Sequence, residues 1–259
     1  MKVASWNVNS LNMRLARLLD WLGANRPDVI CLQETKLEDA KFPVAPLDAA
    51  GYQAFHAGQK SYNGVAILAR KGLDVADVVP GIDDFVDEQK RLLSATVGGL
   101  RVISAYVPQG QVVDSDKYRY KLTWCEAVGA HLKNALARHP QLVVAGDFNV
   151  APDDRDVHDP ELWAGQIMCS DAERAAFRAF LAAGLVDSFR LFEQPPKTFS
   201  WWDYRQLAFP KNCGLRIDHI LLSTPLAERC LSCRIDREAR KGQKPSDHAP
   251  VSIELRDIR

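Results

Sequence analysis

Apolar positions along the 259 residues fall into short continuous runs bounded by turn residues, interrupted by three stretches with helical spacing. Residues 2–7 form an apolar-rich run ending in a polar side chain, and Leu11, Leu15, Leu18, Leu19 and Leu22 then recur at helical intervals. The chain therefore opens as strand, loop, helix. Pro27-Asp28 signals a turn, and Val29-Ile30-Cys31-Leu32 runs apolar up to Gln33-Glu34, the pattern of a buried strand with polar residues at its tip. Further strand candidates lie at 63–69, 92–97, 100–107, 142–147, 216–222 and 248–255. Leu122, Cys125, Val128, Leu132 and Leu136 predict a second amphipathic helix; Phe177, Phe180 and Leu181 predict a third that ends at Gly184. Strands outnumber helices and come in adjacent pairs. Two mixed sheets packed face to face with helices outside are thus expected, rather than strict alternation of strand and helix. No low-complexity linker or clear repeat divides the chain, so residues 1–259 read as a single domain, with 151–170 as a long surface loop.

Composition changes this picture in three ways. Lys plus Arg equal Asp plus Glu at 33 each, which argues against a protein that coats nucleic acid non-specifically. DNA binding at one place is still compatible: carboxylates gathered around a metal would leave the remaining surface positive. Lys117-Tyr118-Arg119-Tyr120-Lys121 and the basic run 237–244 are then candidate phosphate contacts, or else solvated helix faces. No run approaches the roughly 18 apolar residues of a membrane span, and the first residues lack a signal-peptide core, so a soluble cytoplasmic protein is expected. The six cysteines, including the pair Cys230-x-x-Cys233, have neither a second ligand pair for zinc nor a strand-to-helix setting for redox chemistry, and are expected as reduced thiols.

The unusual polar residues stand at the ends of apolar runs: Asn7, Glu34, Tyr106, Asp147 with Asn149, Asp218 with His219, and Asp247 with His248. A single Asp after a strand is most often a turn residue or a helix cap. Six such coincidences are harder to accept. Strand ends of stacked sheets can converge on one rim, and converging buried carboxylates need a cation. A ligand set of Asp, Glu and Asn oxygens with one or two His favours Mg²⁺ or Mn²⁺ over zinc. In Ala145-Gly146-Asp147-Phe148-Asn149, alternation along a strand tip would point Asp147 and Asn149 to the same side. In Ser246-Asp247-His248-Ala249-Pro250 an acid adjoins an imidazole before a proline that fixes the turn.

These segments, with Leu32-Gln33-Glu34-Thr35-Lys36, Gly214-Leu215-Arg216-Ile217-Asp218-His219 and Phe199-Ser200-Trp201-Trp202-Asp203-Tyr204-Arg205, resemble those of the exonuclease III and apurinic/apyrimidinic endonuclease family, within the endonuclease/exonuclease/phosphatase superfamily. The resemblance runs from the first strand to the last. It implies a four-layered α/β sandwich with the site at one rim, and an Mg²⁺-dependent phosphodiesterase of DNA repair. The implied substrate is duplex DNA with abasic sites or with blocked or recessed 3′ ends, attacked by a monomer.

Under that resemblance Glu34 is the principal metal ligand with Asn7 assisting, and Asp247 supports the metal or the water. Asp147 deprotonates the attacking water and Asn149 hydrogen-bonds to it; both, with His248, also border the ion. Asp218 holds the His248 imidazole, and Tyr106 aims its hydroxyl at the phosphate. Trp201 and Leu215 wall a pocket for a sugar without its base. Lys36, Tyr62, Asn63, Arg91 and Gln109 are implied as backbone contacts. Two departures stand out: Asn9, where some relatives carry an Asp, and Met168, at a loop position where relatives often carry a small residue. A bulky Met168 would hinder continuous duplex while leaving 3′ ends accessible. Two rivals remain open, a small phosphoester substrate on the same metal site and a DNA-binding scaffold without catalysis.

Overall fold

The computed structural model describes residues 1–257. In chain order it contains β1 (Lys2–Asn7), α1 (Leu11–Asn25), β2 (Val29–Gln33), α2 (Val44–Ala49), β3 (Tyr52–Ala57), β4 (Val65–Arg70), β5 (Val75–Pro80), β6 (Leu92–Val97), β7 (Leu100–Tyr106), α3 (Asp116–Arg138) and β8 (Leu142–Asp147). It continues with α4 (Pro160–Trp163), α5 (Asp171–Ala182), β9 (Leu185–Asp187), α6 (Ala208–Lys211), β10 (Asp218–Ser223), α7 (Thr224–Ala227), β11 (Cys230–Ile235) and β12 (Val251–Leu255). The strands form two six-stranded sheets, ordered β11-β12-β1-β2-β4-β3 and β5-β6-β7-β8-β10-β9. Each sheet has one parallel pair joined across a helix, β1 to β2 through α1 and β7 to β8 through α3; the other pairs are antiparallel.

Period-two alternation sorts the side chains into layers. Val3, Val29, Cys31, Val65 and Ile67 of the first sheet face Leu93, Ala95, Val102, Val143, Ala145 and Ile220 of the second in one core. The intervening residues point outward: Ala4, Trp6, Ile30 and Leu32 meet α1 residues Leu11, Leu18 and Leu22. On the far side Ile103, Val144 and Leu221 meet Trp124, Val128 and Leu132 of α3 and Phe177 and Phe180 of α5. This is a four-layered α/β sandwich, as the resemblance implies. Helix ends follow local chemistry. Arg26 adopts a left-handed conformation whose N–H returns to Leu22 O, ending α1 before Pro27. Ser115 caps α3 by accepting from Tyr118 N–H, and Ser170 with Glu173 forms a capping box on α5.

Some details differ from the sequence reading. The strand expected at 216–222 begins at Asp218, and that at 248–255 begins at Val251, so Arg216 and His248 sit in the connecting turns. The stretch 151–170 is no simple surface loop: Ala151, Asp156, Val157, Met168, Cys169 and Ser170 are buried, and α4 lies within it. Cys230 and Cys233 lie on the edge strand β11, and neither joins a metal-ligating group among the described residues.

The inner sheet surfaces become polar toward one end. Ser5 donates to Gln33 Oε1, Gln33 donates to Ser104 Oγ across the sandwich, and Ser104 donates to Leu32 O, each at 3.3 Å. These buried bonds link the two sheets just below the rim. A Cβ on Gly146 would lie 1.8 Å from the carbonyl oxygen of Ala105 on the neighbouring strand, so Gly146→Ala must displace backbone beside Asp147. It is expected to destabilise the fold by about 3 kcal/mol, read as a lower urea midpoint at unchanged slope; a midpoint equal to that of the wild type contradicts this packing.

Candidate active site

The C-terminal tips of β1, β2, β7 and β8 lie at the same rim as the start of β10, because β10 runs antiparallel to β8 with Asp218 opposite Asp147. Tyr106 stands beside Asp147 in the parallel pair β7–β8, and Asn7 beside Gln33 in β1–β2. The turn before β12 adds His248. At the rim itself one amide joins the two sheets: Asn7 Nδ2 donates to Glu34 Oε1 and to Asp147 Oδ2, both at 2.9 Å. Asn149 N–H donates to Asp147 Oδ1 at 2.9 Å and its Nδ2 to Asp147 Oδ2 at 3.2 Å and Val107 O at 2.9 Å. Asn149 reaches Asp147 by a left-handed turn with φ 49° after the strand has ended, not by strand alternation. Near the site Glu34, Lys36 and Met168 also have positive φ, a strain for these side chains, while Asn9 and Asn63 share the region at less cost.

The His248 imidazole places Nδ1 2.9 Å from Asp218 Oδ2 and Nε2 3.7 Å from Asp147 Oδ2. Asp218 is fixed in turn by Ser200 Oγ, which donates to its Oδ2 at 2.6 Å and accepts from the N–H groups of Ile217 and Asp218. Trp6 Nε1 donates to His248 O, and Ser246 Oγ accepts from His248 N–H. Burial alone would push the imidazole down, but the carboxylates of Asp218 and then Asp147 outweigh it and hold the ring at about 10. Burial pushes Asp147 well above the ordinary carboxylate range, opposed by His248 and reinforced by Asp218 and Glu34. Burial also raises Tyr106, as do the Glu34 and Asp147 charges, so its phenol stays a proton donor; the Arg91 guanidinium stacks 4.6 Å above its ring.

Glu34, Asp147 and His248 offer ligand atoms within 4.8 Å of one another, the one such group among the described residues. The two carboxylates fit a hard divalent cation. Other expected ligands are arranged differently. Asn7 and Asn149 turn their amide N–H groups toward Asp147, and Asn7 Oδ1 accepts from Asn9 N–H at 2.9 Å, so Asn7 offers oxygen to a cation only if its amide turns over. His248 keeps Nδ1 on Asp218, and as an imidazolium its Nε2 is a donor, not a ligand. Asp247 lies outside the group: it accepts from Asn9 Nδ2 at 2.8 Å and Trp201 Nε1 at 3.0 Å. Burial would raise Asp247, but the His248 charge and these two donors hold it below the usual range. Lys36 Nζ lies 2.8 Å from Glu34 Oε2 and donates to Asn9 Oδ1 at 2.6 Å, so it neutralises the acidic group from beside it.

The rim opens into a cavity of about 350 Å³ lined by Glu34, Tyr106, Asp147 and His248 on its polar side and Trp163, Ile167, Met168 and Trp201 on its apolar side. Trp202 is buried, with Nε1 donating to Asn212 Oδ1, so of the two tryptophans it is Trp201 that faces the cavity. Leu215 does not: it is fully buried beneath Trp201, pairing with it through backbone hydrogen bonds. An adjoining cavity of about 550 Å³ is lined by Tyr62, Asn63, Arg91, Gln109 and Lys117, and shares Tyr106 and Gln109 with the first. The basic runs are mostly employed within the fold. Arg237 and Arg240 stack on Trp202, Tyr204 and Phe209, Lys241 pairs with Glu238, and Lys121 is buried, which leaves Lys117 toward the cavity.

Sequence reasoning missed Ser200, Ser246, Trp163, Ile167 and Arg205. The two serines sit inside quoted motifs, but their hydroxyls act on neighbours far along the chain; Trp163 and Ile167 come from the supposed surface loop. Asp203 and Arg205 form an ion pair on the cavity wall.

Because His248 is raised from 6.5 to about 10 in the folded protein, its contribution to stability is complete below the unfolded value and fades as pH climbs toward the folded one. In metal-free protein the His248 ring is expected to stay protonated through neutral pH by NMR, and Asp218→Asn to lower its midpoint by roughly 1–3 units. An ordinary titration of the wild-type ring near 6.5 contradicts this arrangement.

Comparison with known proteins agrees with this architecture. A family model described as Endonuclease/Exonuclease/phosphatase family matches residues 4–248. The chain is 37% identical to exodeoxyribonuclease III of Haemophilus influenzae, covering 99% of this chain and 100% of that protein. It is 33% identical to an exodeoxyribonuclease of Bacillus subtilis, covering 98% of each. Among solved structures, the 3′ phosphatase NExo from Neisseria, bound to a product DNA hairpin, superposes with a TM-score of 0.96 at 44% identity over 99% of both chains. An AP endonuclease from Archaeoglobus fulgidus superposes at 0.93 with 39% identity, covering 98% of this chain and 99% of that one.

Proposed function

The chain belongs to the endonuclease/exonuclease/phosphatase family, and on that premise we propose how it works as a DNA-repair nuclease of the exodeoxyribonuclease III type. It is a metal-dependent phosphodiesterase; the preferred ion is Mg²⁺, with Mn²⁺ as substitute. Its substrates are duplexes with abasic sites or blocked or recessed 3′ ends, and it acts as a monomer. The observation that carries this reading is the meeting of Glu34 from one sheet with Asp147 from the other, beside an imidazolium held by Asp218.

Glu34 would hold the cation with Asp147 bordering it, Asn7 would support it by fixing both carboxylates through its amide N–H groups, and Asp247 would brace Asn9 and Trp201 beside the site. Such an ion supplies charge stabilisation at the scissile phosphate and the leaving 3′ oxygen. The remaining work belongs to side chains. Asp147, whose proton affinity burial has lifted toward neutrality, accepts the proton of the attacking water, while Asn149 orients that water. His248 donates from Nε2 to a phosphoryl oxygen, its Nδ1 held by Asp218, and the Tyr106 phenol donates to the same phosphate. Trp201, packed over Leu215, shapes the wall against which a sugar without its base rests. Lys36, Tyr62, Asn63, Arg91 and Gln109 take the DNA backbone; four of these five line the adjoining cavity.

Met168 favours a refinement. It lies almost fully buried in the apolar wall beside Ile167 and Trp163, held at φ 69°, where its bulk sets how far that wall stands toward the path of a continuous strand. Resection of 3′ ends and removal of 3′ phosphates then outpace incision at internal abasic sites. Glycine is at ease at this φ, so Met168→Gly is expected to raise internal abasic incision while leaving 3′-end resection within about twofold. Wild-type protein that nicks an internal abasic duplex as fast as it resects a recessed 3′ end contradicts the refinement.

The main reading is tested by digesting three labelled duplexes, carrying an abasic site, a recessed 3′ hydroxyl and a 3′ phosphate, with an EDTA control. Cleavage is expected with Mg²⁺ and none with EDTA. Asp147→Asn is expected to lower kcat by about 10³-fold with little loss of DNA affinity; equal losses in binding and rate would contradict its role. Turnover of a generic small phosphodiester as fast as duplex DNA would favour the small-phosphoester rival.

A further inference from the structure

Behind the cavity lies a buried ion pair that the reaction does not touch. Lys121 on α3 and Glu173 on α5 are both fully buried and bonded to each other. The remaining ammonium N–H groups go to backbone carbonyls, Asn149 O at 2.7 Å and Gln109 O at 3.3 Å. Glu173 Oε1 accepts from Met168 N–H at 2.9 Å, and Oε2 accepts from Ser170 N–H at 3.1 Å and Ser170 Oγ at 2.7 Å. Tyr118 OH completes the network on Ser170 Oγ at 2.7 Å.

Three segments far apart in sequence are thus tied to one pair of charges: the turn after β7 at Gln109, the turn after β8 at Asn149 and the loop before α5 at Met168. All three residues line the catalytic cavity. Two of them hold left-handed conformations, Asn149 at φ 49°, which asparagine tolerates, and Met168 at φ 69°, which its side chain resists. Such strain persists only where the surroundings over-determine it, and here the same ion pair grips the carbonyl of one and the N–H of the other. Helix packing alone would not call for charges, since the α3–α5 layer is otherwise apolar, with Trp124, Val128, Phe177 and Phe180, and well-packed apolar residues often replace buried pairs without loss. An apolar pair cannot bind backbone groups from three loops.

We propose that Lys121 and Glu173 are a positioning pair, which sets the Asn149 side chain against Asp147 and holds the Met168 wall at a fixed distance from it. The proposal rests on the nuclease reading for its catalytic consequence, but not for its structural one. Lys121→Met/Glu173→Gln removes both charges, while the side-chain amide introduced on α5 still serves the capping box. This folded variant is expected to lose about 10²-fold in kcat with KM within about twofold, and amide exchange at Met168 is expected to quicken at least about tenfold without DNA. A role in stability alone would lower the melting temperature and leave kcat unchanged below it. If the double variant does not fold, Glu173→Gln alone decides, with about a tenfold loss in kcat and faster Met168 exchange expected. Wild-type kcat or wild-type Met168 exchange in whichever variant folds overturns the proposal. Wild-type protein that cleaves no duplex would instead sink the nuclease reading, and the exchange comparison would still test the tether.

Discussion

A nearly buried carboxylate, Asp147, stands where two sheets meet at the floor of the cavity, and the rest of the site is arranged around making that charge tolerable. Its neighbours share the task across the sandwich. Asn7 from the first sheet donates to it and to Glu34 at once, Asn149 donates twice from the following turn, and His248 brings a positive charge braced by Asp218. An isolated buried carboxylate would simply take up a proton. This one is balanced near that point, the condition under which a base can accept a proton at neutral pH and be restored afterwards. The fold matters because it brings the β1 and β8 tips to one rim, and Gly146 allows the backbone of Ala105 to approach closely beside Asp147.

The same constraint governs the positive charges. Formal neutrality conceals a chain in which many basic groups are committed to the interior. Arg216 is fully buried between Asp156 and Asp187, Lys121 is matched to Glu173, and Arg237 and Arg240 lie on aromatic faces. Arg14 and Arg17 clamp the turn that carries His248 and the segment before it through backbone carbonyls at Pro245, Gln243, Lys241 and Ala239. Short basic runs therefore overstate the charge offered to DNA, and the groups facing the two cavities, among them Arg91, Lys117 and Arg205, matter more than net charge.

Much of this was legible in the sequence, for a physical reason. Strands buried on both faces read as apolar runs, and a polar residue that ends such a run is conspicuous. β1, β2, β4, β6, β7, β8, β10 and β12 announced themselves in this way, together with Asn7, Glu34, Asp147 and Asp218. The strands that escaped notice lie at or near the sheet edges. β5 is largely exposed, β3 is half-buried, β9 has three residues, and β11 mixes exposed and buried positions. What the pattern could not give was direction. Nothing local shows that the Asn7 amide presents its nitrogen, that Asn149 turns back through a left-handed conformation, or that Leu215 lies under Trp201 rather than beside a substrate. Ser200 and Lys121 were hidden more deeply, because their partners lie 18 and 52 residues away.

The central claim is that Glu34 and Asp147, from different sheets, act on one divalent ion. Calorimetric titration of Mn²⁺ into the wild type, Glu34→Gln and Asp147→Asn tests it most directly. One site in the wild type, weakened by about tenfold or more in each variant, is the result this account predicts. Wild-type affinity in both variants would show that the ion binds elsewhere, and the proposed chemistry at this rim would have no basis.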